Sequence, residues 1–144
     1  MAGQLDGTRV AELPIYQNAV HAGYLADVRP FVQAGWLSVI PERVGGGTRI
    51  KLFESLALGT PVVATKWAAI GVEAREGVEL LTADTPRSLA DAILRLFRDA
   101  ALRETMSRAG RKLIEEKYNW SVIGHQFDTI IETAVRHYQT NPSL

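Results

Sequence analysis

Gly45-Gly46-Gly47 divides two apolar runs and opens a helix, and that order restricts the architectures open to the chain. Before it, Trp36-Leu37-Ser38-Val39-Ile40-Pro41 shows little alternation, as a strand does when both faces of a parallel sheet are covered. After it, Ile50, Phe53, Leu56 and Ala57 recur at helical spacing with Thr48 as cap, and Gly59 suits the position just past a helix end. Pro61-Val62-Val63-Ala64-Thr65 then reads as a second buried strand. Strand, helix and strand in this order form a parallel crossover unit, which needs cover on both faces of its sheet.

The rest of the chain continues the pattern. Lys66 to Gly77 reads as a loop with room for one helical turn, and Val78 to Ala83 as a third strand. Thr85 followed by Pro86 is a strong helix start, with Leu89, Ile93, Leu96 and Phe97 as the buried stripe. Asp99 is placed to cap a helix carrying Leu102, Met106, Ala109, Leu113 and Ile114. Asn119 is placed to cap a last helix carrying Trp120, Ile123, Phe127, Ile130, Ile131, Ala134 and Val135. Towards the N-terminus, Ala19 to Leu25 reads as a short strand, and Asp27 as the cap of a short helix that contains Pro30 and stops at Gly35. Residues 1–17 have no clear pattern beyond a helix end at Val10 to Leu13, stopped by Pro14; they and the tail from Gln139 to Leu144 are expected to be poorly ordered. The expected fold is α/β: a parallel sheet with helices on both faces and a helical C-terminal end, in a single lobe over residues 1–144.

Composition narrows the functions. Sixteen basic and sixteen acidic residues cancel, which argues against electrostatic capture of nucleic acid. The absence of cysteine excludes disulfides and thiolate metal sites. Met1 to Gly7 lacks the basic-then-apolar pattern of a signal peptide, and no apolar run approaches the roughly 20 residues that span a bilayer. The expected location is the cytoplasm, with the inner face of a membrane as the alternative.

In parallel sheets, ligands bind beyond the carboxyl ends of the strands, where the glycine loop falls. Unpaired N–H groups at a glycine-rich helix start suit a phosphate or another anion. The loop is neither Gly-x-x-x-x-Gly-Lys-Ser/Thr nor Gly-x-Gly-x-x-Gly, since Ile50 stands where the latter needs its third glycine; a P-loop ATPase and an ordinary nicotinamide enzyme are therefore disfavoured. A plain turn without a ligand remains open, although one glycine would serve a turn and three cost conformational entropy. Arg49 and Lys51 put positive charge where the helix dipole disfavours it, so they either meet a diphosphate or are simply solvated. Glu54 either pairs with Lys51 along the helix or accepts hydrogen bonds from ligand hydroxyls. His21, His125 and His137 have no metal-ligand spacing, Trp36, Trp67 and Trp120 are scattered, and no Ser/His/Asp arrangement is evident.

Val39 to Thr65 resembles the donor-binding core of the group 1 (family 4) retaining glycosyltransferases, enzymes of GT-B architecture with two Rossmann-like lobes. The carrying residues are the strand ending in Pro41, the glycine loop, the helix Glu54-Ser55-Leu56-Ala57-Leu58-Gly59 and then Pro61-Val62-Val63. Gly77 to Ala83 and the helices ending near Tyr118-Asn119-Trp120 extend the likeness over roughly residues 20 to 138. The resemblance implies a nucleoside diphosphate sugar as donor substrate and no metal or other cofactor. It implies that Gly45, Gly46, Gly47 and Thr48 meet the diphosphate, that Arg49 or Lys51 balances its charge, and that Glu54 binds the ribose. Many members carry a further glutamate eight positions before the ribose-binding one, where this chain has Gly46. The chain has no room for the N-terminal acceptor lobe, which holds a histidine often used near the reacting sugar, and none of the three histidines here replaces it. The first strand of the donor lobe is expected to be missing as well. The implied partner is therefore an N-terminal lobe, another protein or a second copy, and the lobe alone is expected to be inactive. A phosphate-binding module acting through a partner and an inactive remnant are the alternatives.

Overall fold

The structure, a computed structural model, describes residues 20, 22–47 and 49–140. The expectations for residues 1–17, for Thr48 and for the tail from Asn141 onward lie outside the described residues. Along the chain run α1 (Arg29–Ala34), β1 (Ser38–Ile40), α2 (Ile50–Ala57), β2 (Val62–Ala64), α3 (Lys66–Ala69), β3 (Leu80–Thr82), α4 (Pro86–Arg98), α5 (Ala100–Lys117) and α6 (Trp120–Thr140). The strands pair in parallel in the order β1-β2-β3, with Ser38 opposite Val62 and Val62 opposite Leu80. This is the α/β, Rossmann-like arrangement expected from the alternation of strands and helices.

Side chains alternate across a strand, and here both sides are buried. Val62, Ala64 and Leu80 face one way and join Ile40, Leu52 and Leu56 of α2, Ala68 of α3 and Leu113 of α5. Val63 and Leu81 face the other way and join Leu89 and Leu96 of α4 and Met106 of α5. That two-sided cover explains why these strands read as unbroken apolar runs.

Local sequence explains most boundaries. The Thr85 side chain accepts from the Ser88 N–H and the Ser88 hydroxyl accepts from the Thr85 N–H, a capping box with Pro86 in the first turn. Asp99 and Asn119 cap α5 and α6 by accepting from the N–H groups of Leu102 and Val122. Past α2, the Gly59 N–H reaches the Leu56 carbonyl and the Thr60 N–H reaches the Ser55 carbonyl, which is the Schellman pattern. Gly59 has φ +74° there, a conformation that side chains with a Cβ rarely adopt.

Four expectations are corrected. No strand forms at residues 22–25; Tyr24 within the segment and Val20 before it are almost fully exposed, so among the described residues nothing packs there to support one. Asp27 is not the cap of α1, a position held by Val28 without a side-chain bond; instead the Asp27 carboxylate takes the Arg29 N–H and guanidinium. Phe97 is about half exposed and stacks on Trp36 at 5.7 Å, outside the core. Gln139 and Thr140 continue α6, where the Thr140 hydroxyl donates back to the Arg136 and His137 carbonyls.

Among the described residues nothing covers the apolar stripe of the last helix. Trp120, Ile123, Phe127, Ile130, Ile131 and Val135 are all exposed, and no residue of α6 is buried. Among the described residues no helix is long and apolar enough to cross a membrane.

Two parts of this framework are open to test. A Cβ on Gly110 of α5 would lie 2.7 Å from the Leu56 side chain of α2, so only glycine permits this helix approach. Gly110→Val should cost about 1–3 kcal/mol by overpacking, read in urea unfolding. Before β3, the Glu79 carboxylate is buried and takes the Arg75 guanidinium and N–H, at 2.5 and 2.7 Å. Burial pushes this carboxyl up, but the Arg75 hydrogen bonds and charge outweigh it and hold the group below the ordinary glutamate value. Its stabilising contribution is therefore complete above the unfolded pKa and is lost as pH falls through the depressed native one. Unfolding at stepped acidic pH should show that loss, and Glu79→Gln should flatten it.

Candidate functional site

The carboxyl ends of the three strands lie side by side because the sheet is parallel and in register. The segments after the strands therefore gather on one edge: Pro41 to Gly47 after β1, Thr65 and Lys66 after β2, Ala83 and Asp84 after β3. The glycine loop lies on this edge and leads into α2.

Gly45 has φ +120° and Gly47 φ +86°, so these two positions need glycine, whereas Gly46 does not adopt a positive φ. A Cβ on Gly45 would make only an ordinary contact, at 3.5 Å, with an Arg49 guanidinium nitrogen, so it is the backbone conformation rather than space that calls for glycine there. Arg49 stands at the cap position of α2 and makes no side-chain bond to the helix. Its guanidinium turns back, donating to the Glu42 carboxylate at 3.1 Å and to the Gly45 carbonyl at 3.2 Å. The Arg49 side chain is only 12% exposed as a result.

Lys51 extends from the first turn of α2, largely in solvent, with its ammonium 3.9 Å from the same Glu42 carboxylate. Two cations at a helix N-terminus are unfavourable by themselves, and Glu42 offsets both. Glu42 is fixed in turn through its backbone: the buried Thr65 hydroxyl donates to the Glu42 carbonyl. The same Thr65 oxygen accepts the Ala68 N–H and so caps α3. Further along the edge, the Asp84 carboxylate takes the Lys66 N–H at 2.9 Å and lies 3.8 Å from its ammonium.

Glu54 is exposed one turn into α2. Among the described residues its carboxylate makes no ion pair or hydrogen bond, and Lys51 pairs with Glu42 instead. The same helix is locked to the sheet by the buried Ser55, whose hydroxyl meets Ser38 of β1 at 3.0 Å.

The structure thus brings Arg49 and Lys51 together on Glu42, with the Gly45 carbonyl on Arg49, and leaves Glu54 a turn away with its carboxylate in solvent; among the described residues nothing brings Gly46 or Gly47 into contact with this group. Glu42, Thr65 and Asp84 were not apparent from sequence; their shared signal is position, each standing one or two residues past a strand end. Among the described residues no group of three or more histidines and carboxylates stands together as a metal would require.

Thr65 joins the loop after β1 to the start of α3. Thr65→Val should destabilise the protein by about 1–2 kcal/mol through the lost cap and the unpaired Glu42 carbonyl. Hydrogen exchange should show the loss concentrated at Gly45–Gly47 and α3.

Known proteins share this part of the chain. The family model for Glycosyl transferases group 1 matches residues 2–99, a span that contains the whole strand-end edge. A phosphatidyl-myo-inositol mannosyltransferase of Mycobacterium leprae is 37% identical over 95 residues, which is 65% of this chain. The matched segment is 25% of that protein's length, so the chain corresponds to about a quarter of its relative.

Proposed function

Since the chain belongs to the group 1 glycosyltransferases, we propose that it carries the donor-binding part of such an enzyme and holds a nucleoside diphosphate sugar. The observation that carries this reading is the strand-end edge itself. A loop with glycine-only backbone at Gly45 and Gly47 leads into a helix with Arg49 at its cap position and Lys51 in its first turn. The diphosphate lies against the loop and the start of α2, within reach of both cations. Glu54, exposed and unpaired among the described residues, accepts the ribose hydroxyls. In transfer, charge builds on the leaving diphosphate, and preorganised N–H groups and cations stabilise it. The reading needs no resident metal or cofactor, since the chain's own cations balance the diphosphate.

The relative acts, by its name, as a mannosyltransferase on a phosphatidyl-inositol. A mannosyl donor and a reaction close to a membrane surface are accordingly the first specifics to test here. We infer that the remainder of a two-lobe, GT-B enzyme covers the apolar stripe of α6, and that the lobe described here does not turn over alone. That stripe also supports a second reading, a nucleotide-binding module that works through a partner protein.

Calorimetric titration with UDP, GDP and ADP tests the donor site. One nucleotide should bind selectively, and Glu54→Ala should weaken it about tenfold, the loss of roughly one hydrogen bond to a charged group. If none binds, even to the lobe joined to an N-terminal lobe, donor binding is excluded. Binding without sugar transfer by that joined protein favours the partner module.

A further inference from the structure

The cations that the diphosphate reading needs are already engaged. Arg49 is nearly enclosed, with one guanidinium nitrogen on Glu42 and the other on the Gly45 carbonyl, and Lys51 leans on the same carboxylate. We propose that Glu42 is a built-in competitor for the donor diphosphate, so that donor binding exchanges one anion for another at Arg49 and Lys51. This rests on the donor-binding reading above.

Three features carry the inference. First, the helix dipole disfavours Arg49 and Lys51 where they stand, and Glu42 supplies the opposing charge within the chain itself. Second, the Glu42 backbone stays at the loop when a diphosphate arrives. Its carbonyl is held by the buried Thr65 hydroxyl at the end of β2, so the carboxylate, once displaced, remains within one side chain's reach of Arg49 and Lys51 and competes for them. Third, the Glu42 side chain is 35% exposed, so water reaches the ion pair and the exchange needs no unfolding. A diphosphate carries more charge than one carboxylate and can displace it, whereas a singly charged anion has no such advantage. The outcome is selectivity for multiply charged ligands with modest affinity and easy release of the nucleoside diphosphate product.

The test compares the full chain with its Glu42→Gln variant, using inorganic pyrophosphate, UDP, GDP and ADP as probes. Glu42→Gln should melt at a lower temperature without ligand yet bind pyrophosphate and the preferred nucleotide about fivefold tighter, the worth of one partly exposed ion pair. Adding Arg49→Ala to the variant should abolish the gain. A residue that merely supports the loop would lower the melting temperature and weaken binding together. Unchanged or weaker binding by Glu42→Gln, with the parent chain binding normally, overturns the competitor role and leaves the donor site standing. Failure of both proteins to bind any probe removes the donor reading and this inference with it. Glu42→Asp, with the same charge and a shorter reach, is the second variant: it too should bind tighter than the parent, and equal or weaker binding counts against the proposal.

Discussion

Burial of β2 on both faces is the constraint on which the rest of the structure depends. Val62, Val63 and Ala64 are wholly inaccessible to solvent, and the helices on each side are oriented by what they place against them. Leu52 and Leu56 bring α2 to one face, with its first turn at the carboxyl edge of the sheet. Leu89 and Leu96 bring α4 to the other, and α5 serves both, with Leu113 in the first cluster and Met106 in the second. Gly110 of α5 leaves room for the Leu56 side chain of α2, which a Cβ there would meet at 2.7 Å. The site is thus a product of the core: a loop after β1 can present N–H groups and cations only because the helix behind it is held.

On that edge, one carboxylate organises the charge. Glu42 neutralises Arg49 and Lys51, and Thr65 ties the Glu42 backbone to the central strand. A buried hydroxyl that donates to one segment and accepts from another couples the loop after β1 to the start of α3. Displacement of the loop by a ligand would therefore be felt along the strand ends. The Asp84 contact with Lys66 extends the same logic to the loop after β3.

Opposite in character is α6. Its caps and periodicity are those of an ordinary amphipathic helix, but its stripe from Trp120 to Val135 faces solvent. An apolar surface of this kind marks an interaction site. The chain matches only a quarter of its mannosyltransferase relative, so most of such a protein lies outside it.

Much was legible in the sequence because it depends on neighbours along the chain. The capping box at Thr85 and Ser88, the caps at Asp99 and Asn119 and the left-handed Gly59 are local hydrogen-bond or steric requirements, and each residue type announces itself. The two-sided burial of the strands was equally visible as unbroken apolar runs. The segment around Tyr24 misled for the same reason inverted: β-branched and aromatic residues favour a strand only where something packs on them, and here, among the described residues, nothing does. Helical periodicity likewise identified the stripe of α6 but not whether it would be covered, and it placed Phe97 in a core from which its ring turns away to Trp36. By itself, the sequence determined the order of elements, their ends and the placement of a glycine loop and two cations at a helix start. Only the tertiary structure decided which anion those cations meet: the loop after β1 folds Arg49 back onto Glu42, and the parallel register of β1 and β2 brings Thr65 to the Glu42 carbonyl, a contact across strands that no local pattern encodes.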